Sequence, residues 1–139
     1  MRTAKLFGIV LLACLLADLC WLGLLMGRFY SRELGDLARR EGDALAPRWW
    51  AAGWVYVLIP FGLVLFVRPR VAAPCTALAA GLWGAAFGLV LYGVYDLSNL
   101  AVLEKWTVRL TVADIVWGCV LCGGLSALIR IVDARNGNA

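Results

Sequence analysis

Residues 6–26 read LFGIVLLACLLADLCWLGLLM, an apolar run interrupted by one charge, Asp18. An α-helix rises 1.5 Å per residue, so a run of this length crosses the ~30 Å hydrocarbon core of a bilayer. Further along the chain, comparable apolar stretches follow at 49–67, 74–95 and 110–132. The sequence therefore predicts an all-α protein, an integral membrane four-helix bundle.

The composition of the whole chain agrees with a membrane protein. Apolar residues make up 63% of the 139 residues and charged residues 16%, whereas soluble domains usually contain about 45–50% and about 25%. The net charge of +4 does not indicate a nucleic-acid partner, because basic residues near helix ends serve orientation and contact with anionic lipid. We expect a single transmembrane domain over residues 1–139, with membrane lipid as its partner.

The segment between the first and second spans is strongly charged. It holds five Arg and four acidic residues between Arg28 and Arg48. Within it Tyr30, Leu34 and Leu37 recur at helical spacing, which predicts a short amphipathic helix lying in the membrane interface. In the second span that follows, Pro60 is expected to produce a kink.

Basic residues flank the spans almost equally on the two sides. Four spans put both termini on one side of the membrane. The terminus side has six Lys or Arg residues: Arg2, Lys5, Arg68, Arg70, Arg130 and Arg135. The opposite side has seven: Arg28, Arg32, Arg39, Arg40, Arg48, Lys105 and Arg109. The compact Arg68-Pro69-Arg70 turn and the early Arg2 and Lys5 favour termini in the cytoplasm. The N-terminal run could be read as a signal peptide, but it continues to Met26 instead of stopping at a small-residue cleavage site.

Three aspartates, Asp18, Asp96 and Asp114, lie at membrane depth. An acid at the bilayer centre costs at least ~2.5–3.5 kcal/mol, so such side chains normally face the bundle interior and are candidates for function. Counted along the spans, all three fall in the half opposite the termini. We predict that they converge there.

Each aspartate also has a structural interpretation. Asp96 could be the N-cap of a short helix over 98–105. Asp114 could cap or charge the start of the fourth span, where the helix dipole favours an anion and Arg109 is close. Asp18 could be a protonated clasp, hydrogen-bonded to a neighbouring helix.

Trp and small residues accompany these acids at helical spacing. Trp21 follows Asp18 by one turn, and Trp117 follows Asp114 in the same way. If the helix of the third span continues past residue 95, one of its faces holds small residues followed by polar ones: Gly81, Gly84 or Ala85, Gly88, Tyr92, Asp96 and Asn99. Small residues let a second helix approach closely, so the face of Gly81, Gly84 and Gly88 is a candidate contact for an oligomer or a larger membrane complex.

The five cysteines lie inside apolar runs and do not suggest a disulfide framework. Cys119 and Cys122 form a CxxC pair, which in other proteins carries disulfide exchange. A second, partner pair of cysteines is absent, and no basic neighbour favours a thiolate in mid-span. The chain also contains no His. We therefore predict no metal and no cofactor.

These motifs resemble the family of small predicted bacterial membrane proteins known as domain of unknown function 2177. The residues that carry the resemblance are Asp18-x-x-Trp21-Leu22-Gly23, Phe29-Tyr30 with Leu34-Gly35, Tyr92-x-x-Tyr95-Asp96-Leu97-Ser98-Asn99-Leu100-Ala101, Trp106, and Asp114-x-x-Trp117-Gly118. Where the family often has Thr after the equivalent of Ala101, this chain has Val102. The resemblance implies a four-helix, multi-pass protein of the bacterial inner membrane and supplies no reaction.

Our leading hypothesis is an acidic intramembrane site that binds or moves a proton, a cation or a cationic head group. Its candidate ligand-binding residues are Asp18, Trp21, Tyr92, Tyr95, Asp96, Asn99, Asp114 and Trp117. Two alternatives remain open. The protein could be a lipid- or quinone-handling enzyme with an aspartate as general acid or base, or a non-catalytic assembly subunit.

Overall fold

The computed structural model describes residues 3–42, 44–72 and 74–137; Arg2, which we counted for orientation, lies outside them. Four helices are long and apolar enough to cross a membrane, so the predicted four-helix membrane bundle is confirmed. They are α1 (Thr3–Asp18) with its π-helical continuation Leu19–Leu25; α3 (Trp49–Gly62) with a π-helical segment Leu63–Val67 and a 3₁₀ turn Arg68–Arg70; α4 (Ala77–Val102); and α5 (Val108–Arg135).

The segment between the first two spans contains a short helix followed by a hairpin. Helix α2 (Gly27–Leu34) ends at Gly35, whose φ of +44° is one that residues with a Cβ rarely adopt. A 3₁₀ turn follows, then two strands, β1 (Arg40–Glu41) and β2 (Ala44–Leu45), pair antiparallel. The predicted short helix is therefore present but extends only to Leu34.

The second span changes its helical geometry shortly after Pro60. Proline has no N–H to donate to the preceding turn, so it weakens the helix at that point. The chain becomes π-helical at Leu63, three residues after Pro60. Such π-helical segments are one of the recognised causes of bends in long helices.

Helices α4 and α5 form the closest helix pair of the bundle, because glycines bring their backbones together. A Cβ added at Gly84 would meet the carbonyl oxygen of Cys122, and one added at Gly88 would meet that of Gly118. The small-residue face of α4 thus packs on α5 of the same chain. An oligomer through this face stays a prediction, and α5 of the same chain already packs against Gly84 and Gly88.

The apolar core lies toward the end of the bundle that holds the termini. It combines residues from all four spans and the turn after the second: Leu6, Val10, Cys14, Ile59, Leu63, Val67, Val71, Ala80, Leu121, Cys122, Leu125 and Ile129. Cys14 and Cys122 are fully buried in it, and all five cysteines are free thiols. Asp18, Asp96 and Asp114 lie outside this core, toward the other end of the helices.

Candidate functional site

The helices place the three aspartates at the bundle end opposite the termini. Asp18 is the last residue of α1, where the helix becomes π-helical. Asp96 is the twentieth residue of α4 and Asp114 the seventh of α5. Asp96 is fully buried and Asp18 is 7% exposed. Asp96 and Asp18 are therefore enclosed by protein, while Asp114 is half-buried.

The two helix-end interpretations are wrong. Helix α4 continues to Val102, so Asp96 lies in its interior and caps no helix over 98–105. The N-cap of α5 is Thr107, whose Oγ1 accepts a hydrogen bond from the backbone N–H of Leu110 at 3.1 Å. Asp114 lies two turns further on. The predicted third span, 74–95, ended too early for the same reason.

Asp96 and Asp114 form a carboxyl pair between α4 and α5. Their side chains are close enough to share a hydrogen bond. Among the described residues, no N–H, hydroxyl or basic group donates to either carboxyl oxygen of Asp96. Two adjacent carboxylates repel each other strongly in a buried place, and a single proton between them removes that repulsion. The arrangement therefore fits one proton shared by two carboxyls.

Tyr30 of α2 contacts the pair from the loop side. Its hydroxyl donates a hydrogen bond to Asp114 Oδ1 and accepts one from Trp21 Nε1 at 3.1 Å. The side chain is 7% exposed. Burial, reinforced by the bond to Asp114, raises the pKa of the Tyr30 hydroxyl above its ordinary value, so it stays a neutral donor. The sequence indicated Tyr30 as part of an apolar helix face and of the Phe29-Tyr30 family motif, and its role in the cluster was missed.

The tryptophan of each Asp-x-x-Trp motif is connected by hydrogen bonds to the aspartate of the other motif. Trp117 donates its indole N–H to Asp18 Oδ1 at 2.7 Å, while Trp21 reaches Asp114 through Tyr30. The two indoles stack with their centroids 4.4 Å apart and their planes 1° from parallel. Each tryptophan thus bonds toward the aspartate of the other motif, because the first and fourth spans run antiparallel.

Tyrosines on α3 and α4 complete the surroundings of Asp18. Tyr56 of α3, which the sequence did not indicate as a site residue, lies near the Asp18 carboxyl. Tyr92 packs its ring against Gly118, where a Cβ would collide with it. Its hydroxyl is close enough to interact electrostatically with both Asp18 and Asp114. Tyr92 therefore lies in the neighbourhood of both acids.

Tyr95 and Asn99 lie at the edge of the cluster. The Tyr95 side chain is 60% exposed and meets the Trp106 ring edge-on with centroids 6.0 Å apart. Its hydroxyl interacts with Asn99, the next polar residue along the helix. The structure thus brings Asp18, Trp21, Tyr92, Asp96, Asp114 and Trp117 together. Tyr95 and Asn99 lie at the margin of this group, where the Tyr95 hydroxyl still interacts electrostatically with Asp96 and Asp114.

Helix α2 is tied to the connection between α4 and α5 at further points. The hydroxyl of Thr107 donates to Glu33 Oε2 at 2.5 Å, and Lys105 Nζ lies 2.8 Å from a carboxyl oxygen of Asp36. The hydrogen bond from Lys105 holds the pKa of Asp36 below its usual range. Together with Tyr30, these contacts hold α2 over the carboxyl pair.

The described part of the chain offers the three aspartates no cationic partner. Its ion pairs join Arg68 to Asp133 and Lys105 to Asp36, away from the cluster. Within residues 3–42, 44–72 and 74–137, no three acidic or Cys side chains form a group that could hold a metal ion. Asp18 is held by its hydrogen bond from Trp117 and forms no three-acid metal-binding group with Asp96 and Asp114.

Comparison with known proteins yields one match. The family model described as a predicted membrane protein, domain of unknown function 2177, matches residues 3–131. No curated protein and no solved structure matches the chain. The match thus covers all four spans, and no related structure adds to the site described above.

Proposed function

We propose that this chain, which belongs to the family of predicted membrane proteins matched above, is an intramembrane proton-binding protein. In this proposal the Asp96–Asp114 pair takes up and releases one proton at the end of the bundle opposite the termini. The observation that carries the proposal is the carboxyl pair itself. Among the described residues, no cation pairs with Asp96 and no N–H or hydroxyl group donates a hydrogen bond to its carboxyl oxygens.

The burial of Asp96 favours a proton over a larger cation. A metal ion or an ammonium head group needs room beside the carboxyl oxygens and several further ligands. Asp96 has no exposed surface, and Asp114 is already bonded to Tyr30 and close to Asp96. A proton is the one cation that enters such a pair without displacing protein atoms.

Tyr30 supplies the route by which the pair exchanges its proton. Its hydroxyl touches Asp114 directly, and it belongs to α2, outside the spanning helices. A tyrosine hydroxyl both donates and accepts hydrogen bonds, so it can pass a proton to a carboxylate and take another from the water side. Exchange then occurs on the side of the membrane where α2 lies.

Infrared difference spectroscopy of the protein in lipid tests this proposal. At neutral pH we expect the C=O stretch of a protonated carboxyl in the natural protein. The band should disappear or shift in Asp96→Asn and in Asp114→Asn, since either change ends the sharing of a proton between two carboxyls. Asp36→Asn is the matched control, because this exposed carboxyl is paired with Lys105. An identical band in both pair variants would exclude the carboxyl pair as the proton site.

A further inference from the structure

An open groove lies at the terminus end of the bundle, remote from the aspartates. Its volume is about 680 Å³, and its walls come mainly from α1 and α3, with Phe7, Phe61, Val64 and Leu65 among the lining residues. Phe61 and Leu65 are each about half exposed, at 51% and 49%. In a bilayer, an apolar crevice between two spans faces acyl chains and not water.

One end of the groove is polar and holds an ion pair. Arg68 Nε donates to Asp133 Oδ2 at 2.7 Å and Arg68 Nη2 donates to Asp133 Oδ1 at 2.9 Å. Arg68 Nη1 also donates to Thr3 Oγ1 at 3.2 Å. All three residues line the groove. They lie at or near the ends of their spanning helices, which is the level of lipid head groups.

This ion pair keeps hydrogen-bonding capacity on both partners. A guanidinium has five N–H groups, and its bonds to the described residues occupy three of them. Each carboxyl oxygen of Asp133 accepts one of these bonds, although a carboxylate oxygen can accept two. The side chains of Arg68 and Asp133 are 21% and 11% exposed, so a ligand can reach both.

We infer that the groove binds one phospholipid with a zwitterionic head group that carries a primary ammonium, of the phosphatidylethanolamine type. The phosphate accepts the free N–H groups of Arg68, the ammonium donates to Asp133, and an acyl chain lies along Phe61 and Leu65. The Arg68–Asp133 ion pair has no net charge, and neither has the head group. The positive Arg68 faces the negative phosphate, and the negative Asp133 faces the positive ammonium. A choline head group has no N–H to donate, and the anionic phosphatidylglycerol head group has no positive end to face Asp133.

This lipid site is independent of the proton site. Asp133 and Asp114 are both on α5, and nineteen residues at 1.5 Å each separate them by roughly 30 Å. Loss of one site therefore leaves the other in place. The infrared test of the carboxyl pair and a lipid-binding test can succeed or fail separately.

Competition among lipids with identical acyl chains tests the inference on the natural protein. The protein is reconstituted in vesicles of equal parts phosphatidylethanolamine, phosphatidylcholine and phosphatidylglycerol, re-extracted, and its retained lipid measured by mass spectrometry. We expect about fivefold enrichment of the ethanolamine lipid over the choline lipid, as for one charge-assisted hydrogen bond at a partly exposed site. Retention in equal proportions, or enrichment of the glycerol lipid, would overturn the inference.

Stepwise N-methylation of the head group provides a second test that needs no variant. Adding one, two and three methyl groups to the ammonium removes its N–H donors in turn while its charge remains. Retention should fall with each step and reach the level of phosphatidylcholine at the third. Constant retention along the series would show that Asp133 does not receive a hydrogen bond from the ammonium.

Asp133→Asn tests the charge match, with Asp36→Asn as control at the other end of the bundle. Removing the Asp133 charge leaves Arg68 as a net positive site, so preference should change from the ethanolamine to the glycerol lipid. Arg68→Gln should abolish the ethanolamine preference without creating one for the glycerol lipid. Lipid proportions that stay as in the natural protein in a folded Asp133→Asn variant would reject the assignment.

Discussion

At the scale of single residues, Tyr30 is the side chain that joins the surface helix to the buried acids. Its hydroxyl has one proton, which is directed at Asp114, and the indole N–H of Trp21 occupies one of the two lone pairs of the oxygen. Trp21 in turn is fixed by its stack on Trp117. Two hydrogen bonds and one aromatic contact therefore determine where the hydroxyl proton points.

Removing this hydroxyl should cost more than removing that of another tyrosine at the same end. Tyr30→Phe leaves the Trp21 N–H without its acceptor and Asp114 without its donor, so we expect the free energy of unfolding to fall by about 1–3 kcal/mol. Tyr95→Phe is the matched control, since Tyr95 is largely exposed, and should change it by less than about 0.5 kcal/mol. Denaturation in mild detergent, followed by tryptophan fluorescence, measures both. Equal effects would contradict the buried role of Tyr30.

At the scale of elements, the pairing of α4 with α5 positions the carboxyl pair. Gly84 and Gly88 bring α4 against the backbone carbonyls of α5. Further along the same helices, that close approach places Asp96 beside Asp114. The glycines lie away from the acids in sequence, yet they determine the spacing of the two carboxyls.

Substitution of Gly88 should therefore disturb both stability and the carboxyl pair. A Cβ there meets the Gly118 carbonyl oxygen and, at 3.0 Å, the Cβ of Cys122, so Gly88→Ala should destabilise the protein by about 1–3 kcal/mol. Gly93→Ala on the same helix is the control, because nothing lies within 4 Å of the added carbon. It should be neutral or stabilising by up to about 1 kcal/mol through helix propensity. Thermal unfolding in detergent measures the stability of both variants. Equal stabilities of Gly88→Ala and Gly93→Ala would contradict the close packing of Gly88 on α5.

At the scale of the whole molecule, the two ends of the bundle have different chemistry. The terminus end has an apolar core and a groove closed by the Arg68–Asp133 ion pair. The opposite end holds the three aspartates and the α2 helix that covers two of them. Orientation in the membrane therefore decides which compartment exchanges protons with the site.

We predict that both termini are cytoplasmic and that the aspartate end faces the other compartment. Green fluorescent protein fused after Ala139 should fluoresce, and alkaline phosphatase at the same point should be inactive. A fusion after Glu104, between α4 and α5, is the internal control and should give the opposite pair of signals. Active phosphatase at the C-terminus would show that the termini lie outside the cytoplasm and that Tyr30 lies on the cytoplasmic side, contrary to this prediction.

The four spans, and the fact that the aspartates share one half of the bundle, could be read from the chain itself. Helix rise is constant, so apolar length and the position of an acid along a span convert directly into depth. The same local reasoning placed the end of the third span at residue 95, where Asp96 resembled a boundary. Helix α4 continues to Val102, because in the bundle interior Asp96 has a partner that no local pattern shows.

The contacts of the cluster come from residues far apart in the chain, and they depended on how the helices pack. Tyr30 and Asp114 are 84 positions apart and Asp18 and Trp117 are 99, so no spacing rule connects them. The two Asp-x-x-Trp motifs were visible, yet their crosswise bonding follows only from the antiparallel packing of the first and fourth spans. Sequence determines which polar groups enter the membrane, because hydropathy is a property of each segment. Packing determines which of them meet, because a hydrogen bond requires donor and acceptor within about 3 Å.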